Sequence, residues 1–241
     1  MAIADLVDAF QAKLMNMRRE LFISGAIVNI GLSALSRPEN RPRSVTLRLD
    51  ADTISEPYPI DELMQHTGNL KTVVLELFQG KMISAWHDLL ADAYGFLIRE
   101  HFEGRRNFPE ARKIKPDISL QNAESLQEQV LKSSIENFGF LEYGERIRPL
   151  SQALNAAGDA REQLELIQKH VHIRNAVQHH DSRVNGHMLR KLGRNDISLL
   201  DDGGTEHACV LGDSIVLSIP EIELLHKSMW LLTNVWRAGN G

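Results

Sequence analysis

The sequence LELIQKHVHIRNAVQHH, at residues 164–180, is the most informative helix-forming stretch of this chain. Its apolar residues return every three or four positions, as on one face of an amphipathic helix: Leu164, Ile167, Val171 and Val177. Asp159 lies just upstream, where its carboxylate can cap the first turn. The spacing therefore predicts a helix that runs from Asp159 to about His180, with a polar face opposite its apolar one.

The same periodicity predicts further helices on both sides of this stretch. They cover residues 2–34, a segment beginning at Pro59 or Asp61, 81–102, 122–137, 145–156 and a last segment from Ile219-Pro220. Asn122 can cap the fourth of them, and Phe138-Gly139-Phe140 breaks it. Pro149 kinks or restarts the fifth.

The connections between these helices carry turn and strand signals. Residues 36–59 are rich in Pro and Arg, and the alternation in VTLRL at 45–49 predicts one short strand or a surface arm. Residues 103–120 are basic and polar with two prolines, which is typical of a long exposed loop. Asn185-Gly186 predicts a turn, and two apolar runs around Gly212-Asp213, at 208–211 and 215–217, predict a small hairpin.

These elements predict an all-α helical bundle with a small β-hairpin inserted before the last helix. We divide the chain into residues 1–60, an N-terminal helix and Pro/Arg-rich arm that pack on the bundle, and 61–241, the helical domain. The two parts are expected to form one continuous structural unit, because 241 residues suffice for one large core.

Composition limits the classes of function. The net charge of -5 argues against broad, charge-driven binding of nucleic acid but leaves room for a small basic cleft. The single cysteine, Cys209, suits a reducing compartment. No apolar run approaches the roughly 20 residues that span a bilayer, and the N-terminus lacks a signal-peptide pattern. The sequence predicts a cytoplasmic protein with no membrane partner.

The polar face of the 164–180 helix has an unusual make-up. His172, Asn175 and His179 follow one another at i, i+3 and i+7, and Arg174 lies one position off this stripe. Imidazole can exchange a proton with a ribose 2′-hydroxyl or a leaving oxygen, and a guanidinium can hold a phosphate through two hydrogen bonds. The set needs no metal or other cofactor, and RNA supplies its own nucleophile. These residues predict phosphodiester chemistry on RNA.

Arg174-Asn175, followed after three residues by His179, resembles the R-N-x-x-x-H signature of HEPN domains. The resemblance extends over roughly residues 60 to 240 and is strongest from 160 to 190. It implies a HEPN-like helical bundle and a metal-independent endoribonuclease that acts as a homodimer, with one composite cleft on the two-fold axis. It implies that His179, or His180 at a spacing that also fits, is the general acid/base, that Arg174 contacts the RNA phosphate, and that Asn175 is a polar helper. His172, which lies on the same polar stripe, is a further candidate for RNA contact.

Similar stand-alone prokaryotic proteins are toxins or defence effectors, and a nucleotidyltransferase-type antitoxin is a partner that this resemblance implies. A first alternative is a non-catalytic HEPN module that binds a partner protein or a nucleotide. A second is a metal site at His170 and His172 or at His179 and His180, but neither pair has the i, i+3 or i, i+4 spacing that lets two imidazoles converge. Cys209, in an apolar run, is expected to be a buried inert thiol.

Overall fold

The computed structural model describes residues 2–35, 44–46, 48, 50, 52–113, 115, 125–154 and 160–239. Most of these residues are helical, and two small two-stranded sheets complete the described structure, which confirms an all-α fold with a small hairpin before its last helix. The elements in chain order are α1 (Ile3–Leu35), β1 (Ser44–Val45), β2 (Tyr58–Pro59), α2 (Ile60–Phe102), a 3₁₀ turn (Pro109–Lys113), α3 (Leu126–Phe140), α4 (Tyr143–Ala153), α5 (Arg161–His179), α6 (Gly186–Leu192), β3 (Asp196–Leu200), β4 (Glu206–Val210) and α7 (Ile219–Ala238).

Helix α2 is continuous over 43 residues, whereas the sequence predicted two helices that meet near residue 80. Gly80 lies at this junction, yet Phe78 before it and Met82 after it are both buried in the same hydrophobic core. A single glycine weakens a helix by only about 1 kcal/mol relative to alanine, which tertiary packing readily offsets. Gln79, the preceding residue, is fully buried and donates from Nε2 to the carbonyl oxygen of His170 at 2.8 Å, which ties α2 to α5 here.

We expect Gly80→Ala to raise the free energy of unfolding by about 0.5–1 kcal/mol, since alanine favours the helix and a Cβ here meets no atom within 4 Å. Urea unfolding followed by circular dichroism measures the change. Gly95→Ala is the matched control on the same helix, because its Cβ would lie 2.9 Å from Ile135 Cδ1, so the gain should be smaller or reversed. A destabilised Gly80→Ala protein would contradict a continuous α2.

One hydrophobic core joins α1, α2, α5 and α7. Trp86 and Trp236 are both fully buried, and their rings stack with centroids 5.4 Å apart. Phe10 of α1 packs on Trp86 at 5.8 Å, and Glu20 pairs with Lys81 at 3.6 Å, so α1 and α2 run antiparallel. Within the ranges described, none of the helices combines the length and apolar character needed to cross a bilayer.

The region predicted as an exposed loop, 103–120, is anchored to the core in its described part. Phe108 is 1% exposed and packs edge-on against Tyr94 with ring centroids 5.8 Å apart. Its backbone N–H donates to Nδ1 of His101 at 3.2 Å, and the 3₁₀ turn follows. The loop prediction was wrong here because one apolar residue among many polar ones leaves no periodic signal.

The ends of α3 and α4 differ from the predicted ones. The predicted caps Asn122 and Asp159 lie outside the described residues. Ser125 begins α3 through a capping box with Glu128, and the helix continues through Phe138-Gly139-Phe140 instead of breaking there. Helix α4 begins two residues early, after Glu142, and keeps Pro149 in its interior.

Two turn predictions downstream of α5 were also wrong in detail. Asn185 is the N-cap of the short helix α6, accepting from the N–H of Met188 at 2.9 Å, rather than part of a free turn. The hairpin pairs β3 with β4 around 201–205, where Asp201 accepts from the N–H groups of Gly203 and Thr205. Residues 215–217 form no described strand.

A buried polar network fixes the position of α5 against α7 and the hairpin. Glu221 of α7 is fully buried, and its Oε1 lies 2.6 Å from Nζ of Lys169 and 2.9 Å from Nε2 of His170. Its Oε2 accepts from the N–H of Leu200 in β3 at 2.8 Å. Burial lowers the pKa of His170, so this side chain is neutral at pH 7 and Lys169 supplies the charge that compensates the carboxylate.

Candidate functional site

A cleft of about 540 Å³ opens where α5 meets α2, α4 and α6. Most of its polar lining can carry positive charge. The basic and imidazole side chains come from four helices: His87 of α2, Arg146 of α4, His172 and Arg174 of α5, and His187 and Lys191 of α6. Asn175 and Glu142 add an amide and a carboxylate. The fold therefore gathers a basic cleft on a chain whose net charge is negative.

Arg174 and Asn175 lie side by side in this cleft. Nη1 of Arg174 donates to Oδ1 of Asn175 at 3.3 Å, so the amide holds the guanidinium in place. Arg174 is half-buried, and no described carboxylate lies within the 4 Å of an ion pair. Charges removed from water are usually paired. An unpaired guanidinium in a cleft is consistent with an anionic ligand.

The two candidate histidines lie outside the cleft. His179 is the last residue of α5 and His180 is its C-cap, and both are exposed. After them the chain turns through positive φ angles at Asp181 and Ser182, and Ser182 Oγ donates to Oε1 of Glu76 at 3.1 Å. One copy of the chain therefore places His172, Arg174 and Asn175 together but leaves His179 and His180 on an open surface.

His87 and Arg146 line the cleft, but no pattern in the sequence marks them as site residues. His87 follows Trp86 in an apolar helix, and its ring packs on Tyr143 with centroids 6.1 Å apart. Arg146 lies in the second turn of α4. Neither has a recognisable motif, because α2 and α4 are brought beside α5 by tertiary packing. The unusual feature of a histidine directly after a core tryptophan was the one available signal.

Two imidazoles of the cleft, those of His87 and His172, have lowered pKa values that keep them neutral at pH 7. Burial, followed by the charges of Arg146 and Arg174, lowers the pKa of His87 to about 4. Burial also lowers the pKa of His172, with smaller contributions from His187 and Lys191 that Glu142 partly opposes. Glu142 pairs with Lys191 at 2.5 Å at the rim. The inner end of the cleft, near His87, Arg146 and Arg174, has no described carboxylate to balance its charge.

The low pKa of His87 makes stability depend on pH. The unfolded chain takes up this proton near pH 6.5, while the folded chain resists it down to about pH 4. The titration of His87 alone should therefore lower the free energy of unfolding by about 3 kcal/mol as the pH drops from 6.5 to 4. Urea unfolding of wild type and His87→Gln at a series of pH values measures it. The variant should show a shallower fall, and identical slopes would contradict the assignment.

The described residues hold no group of three His, Cys, Asp or Glu side chains arranged to bind a metal ion. Cys209 is buried, and burial raises the pKa of its thiol, so the thiolate is disfavoured. His170, which the metal-site alternative would use as a ligand, is fully buried, and its Nε2 lies 2.9 Å from Oε1 of Glu221. Trp86 and Trp236 are core residues and Trp230 is half-buried.

No family model matches the chain, and no curated protein or solved structure matches it.

Proposed function

We propose that this chain is a metal-independent endoribonuclease of the HEPN type, with its catalytic centre at the Arg174 end of the basic cleft. The observation that carries the proposal is the half-buried Arg174, which has an amide partner, Asn175, but no described carboxylate partner. Its planar guanidinium can donate two hydrogen bonds to one phosphate and oppose the charge that develops during cleavage. The R-N-x-x-x-H resemblance supports the same assignment.

The proposed reaction is attack of a ribose 2′-oxygen on the adjacent phosphorus. The new P–O2′ bond replaces the P–O5′ bond, so the products carry a 2′,3′-cyclic phosphate and a 5′-hydroxyl. One imidazole accepts the 2′-hydroxyl proton, and one imidazolium donates a proton to the leaving O5′. His179 has this role, with His180 as the alternative, and a second copy of the chain supplies the second imidazole.

A homodimer is part of the proposal, because Arg174 lines the cleft and His179 does not. An apolar surface beside the end of α5 supports it. The contact of Ser182 with Glu76 places this end of α5 next to the first half of α2, which runs beside the second half of α1. Both segments expose large apolar side chains, between 44% and 70% exposed: Phe22, Ile23, Ile27, Ile30, Leu70, Val73 and Leu77. A second copy seated there brings two α5 ends together by symmetry.

The biological setting follows from the resemblance alone. We propose a toxin or defence effector that acts on RNA in the cytoplasm and is controlled by a nucleotidyltransferase-type antitoxin. The alternative is a non-catalytic HEPN module. The same exposed apolar surface favours it, since a partner protein could cover α1 and α2 in place of a second copy.

Incubation of the purified chain with mixed RNA in EDTA tests the proposal, with DNA of the same sequence as control. We expect cleavage of RNA, no cleavage of DNA, and a specific activity that rises with protein concentration through the range in which sedimentation detects the dimer. Intact RNA under a stable dimer would favour the binding module and overturn the enzyme.

A further inference from the structure

The inner end of the basic cleft contains polar atoms without partners. Nδ1 of His87 and Nε of Arg146 are shielded from solvent, and neither has a hydrogen-bond partner among the described residues. A buried donor such as the N–H of Arg146 that bonds to nothing costs about 1–3 kcal/mol, and more when the group is charged. Folded chains usually satisfy such groups with a protein partner, an ordered water, an ion or a ligand.

The charges at this end also lack a counter-charge. His87, Arg146 and Arg174 all line this cleft, and the charges of the two arginines help to lower the pKa of His87. Glu142, the acid that lines this cleft, pairs with Lys191 of α6. Burial lowers the pKa of Arg146 itself, which reflects the cost of holding a cation there without a carboxylate. The residues that form this end therefore favour an anion of compact shape.

We propose that Arg146 and His87 form a second phosphate subsite of the RNA-binding cleft, beside the phosphate held by Arg174. This subsite extends the proposed function, and the identification of its ligand as RNA rests on that proposal. Arg146 holds a neighbouring phosphate of the same strand, and His87 turns a nitrogen towards it. The cleft volume of about 540 Å³ suits one or two nucleotides. Gly139 and Gly144 line the same cleft, and the space that a Cβ would occupy on either residue is open to a distance of 4 Å.

Calorimetric binding of 2′-O-methyl oligonucleotides, which cannot be cleaved, tests the subsite. A dinucleotide carries one phosphate and a trinucleotide carries two, so the ratio of their Kd values reports on the second phosphate, and the change of this ratio in Arg146→Gln separates that phosphate from the added nucleoside. We expect the trinucleotide to bind the wild type about ten times more tightly, in line with one charge-assisted contact. Arg146→Gln should abolish this ratio and retain dinucleotide binding. Arg148→Gln, an exposed position on the same helix, is the matched control and should retain the ratio.

A ratio unchanged in Arg146→Gln, or no oligonucleotide binding by the wild type, would overturn the subsite. A dinucleotide with a terminal phosphate shows which kind of phosphate the subsite prefers. Tighter binding of this dinucleotide than of the trinucleotide would indicate a terminal phosphomonoester, and weaker binding an internal phosphodiester. If Arg146→Gln does not fold, the NMR titration of His87 in the wild type decides: inorganic phosphate should raise its pKa from about 4. No rise there counts against the subsite. Binding without RNA cleavage leaves the subsite standing and removes the proposed ribonuclease.

Discussion

Arg174→Gln is expected to slow RNA cleavage by a factor of about 100 to 1,000, the usual cost of losing one preorganised charge donor at a phosphate. Glutamine keeps an amide in the cleft but removes the positive charge and the planar pair of donors. The half-buried guanidinium has no described carboxylate partner, so its loss breaks no ion pair of the described structure and the fold should persist. Single-turnover cleavage of a labelled RNA measures the effect.

The controls for this result separate chemistry from binding and from folding. Arg148→Gln removes the same charge at an exposed position of α4 and should cleave at the wild-type rate. His179→Ala should lower the cleavage rate by about 100-fold or more, which is the usual contribution of a general acid/base. His180→Ala should lower it only slightly. Loss in His180→Ala alone transfers the role to His180. Wild-type rates in Arg174→Gln and in both histidine variants would contradict the ribonuclease assignment.

Glu221→Ala is expected to lower the free energy of unfolding by about 3–5 kcal/mol, since it leaves the mostly buried ammonium of Lys169 without its carboxylate. The carboxylate also accepts from the N–H of Leu200, and this buried backbone donor would lose its partner. The melting temperature of a chain of this size should fall by about 6–20 °C. Thermal and urea unfolding followed by circular dichroism measure both quantities.

Glu223→Ala is the matched control for Glu221→Ala, two residues further along α7. Its ion pair with Arg18 is partly exposed, with side chains 30% and 40% accessible, and such pairs contribute at most about 1 kcal/mol. A Glu221→Ala protein no less stable than Glu223→Ala would show that the network does not hold α5 in place. Glu221 and Lys169 do not line the cleft. The fraction of Glu221→Ala protein that remains folded should therefore keep its affinity for oligonucleotides.

Periodicity predicted the bounds of helices whose apolar residues recur at helical spacing, whether or not the core covers that face along its whole length. Helix α5 lies within one or two residues of its predicted bounds, and α1 and α7 agree as well. The errors occur where local signals compete with packing. Helix α2 was predicted as two helices although buried residues on both sides of residue 80 belong to one core, and Phe108 gave no periodic signal although it is buried.

The cleft itself was only half predictable. Arg174 and Asn175 are adjacent in the sequence, and their helix could be placed from its own pattern. His87 and Arg146 come from helices far away in the chain, and their approach to Arg174 depends on how α2 and α4 pack against α5. Histidine clustering in the sequence was a poor guide in one case, because His170 points into the core and pairs with Glu221.

The ends of the RNA fragments test the central claim most directly. RNA cleaved by the wild-type chain in EDTA should carry 2′,3′-cyclic phosphate and 5′-hydroxyl ends, and these ends should disappear with Arg174→Gln. Mass spectrometry of the fragments identifies both. Fragments with 3′-hydroxyl and 5′-phosphate ends, or cyclic ends that persist undiminished in Arg174→Gln, would contradict 2′-hydroxyl attack in the cleft of Arg174.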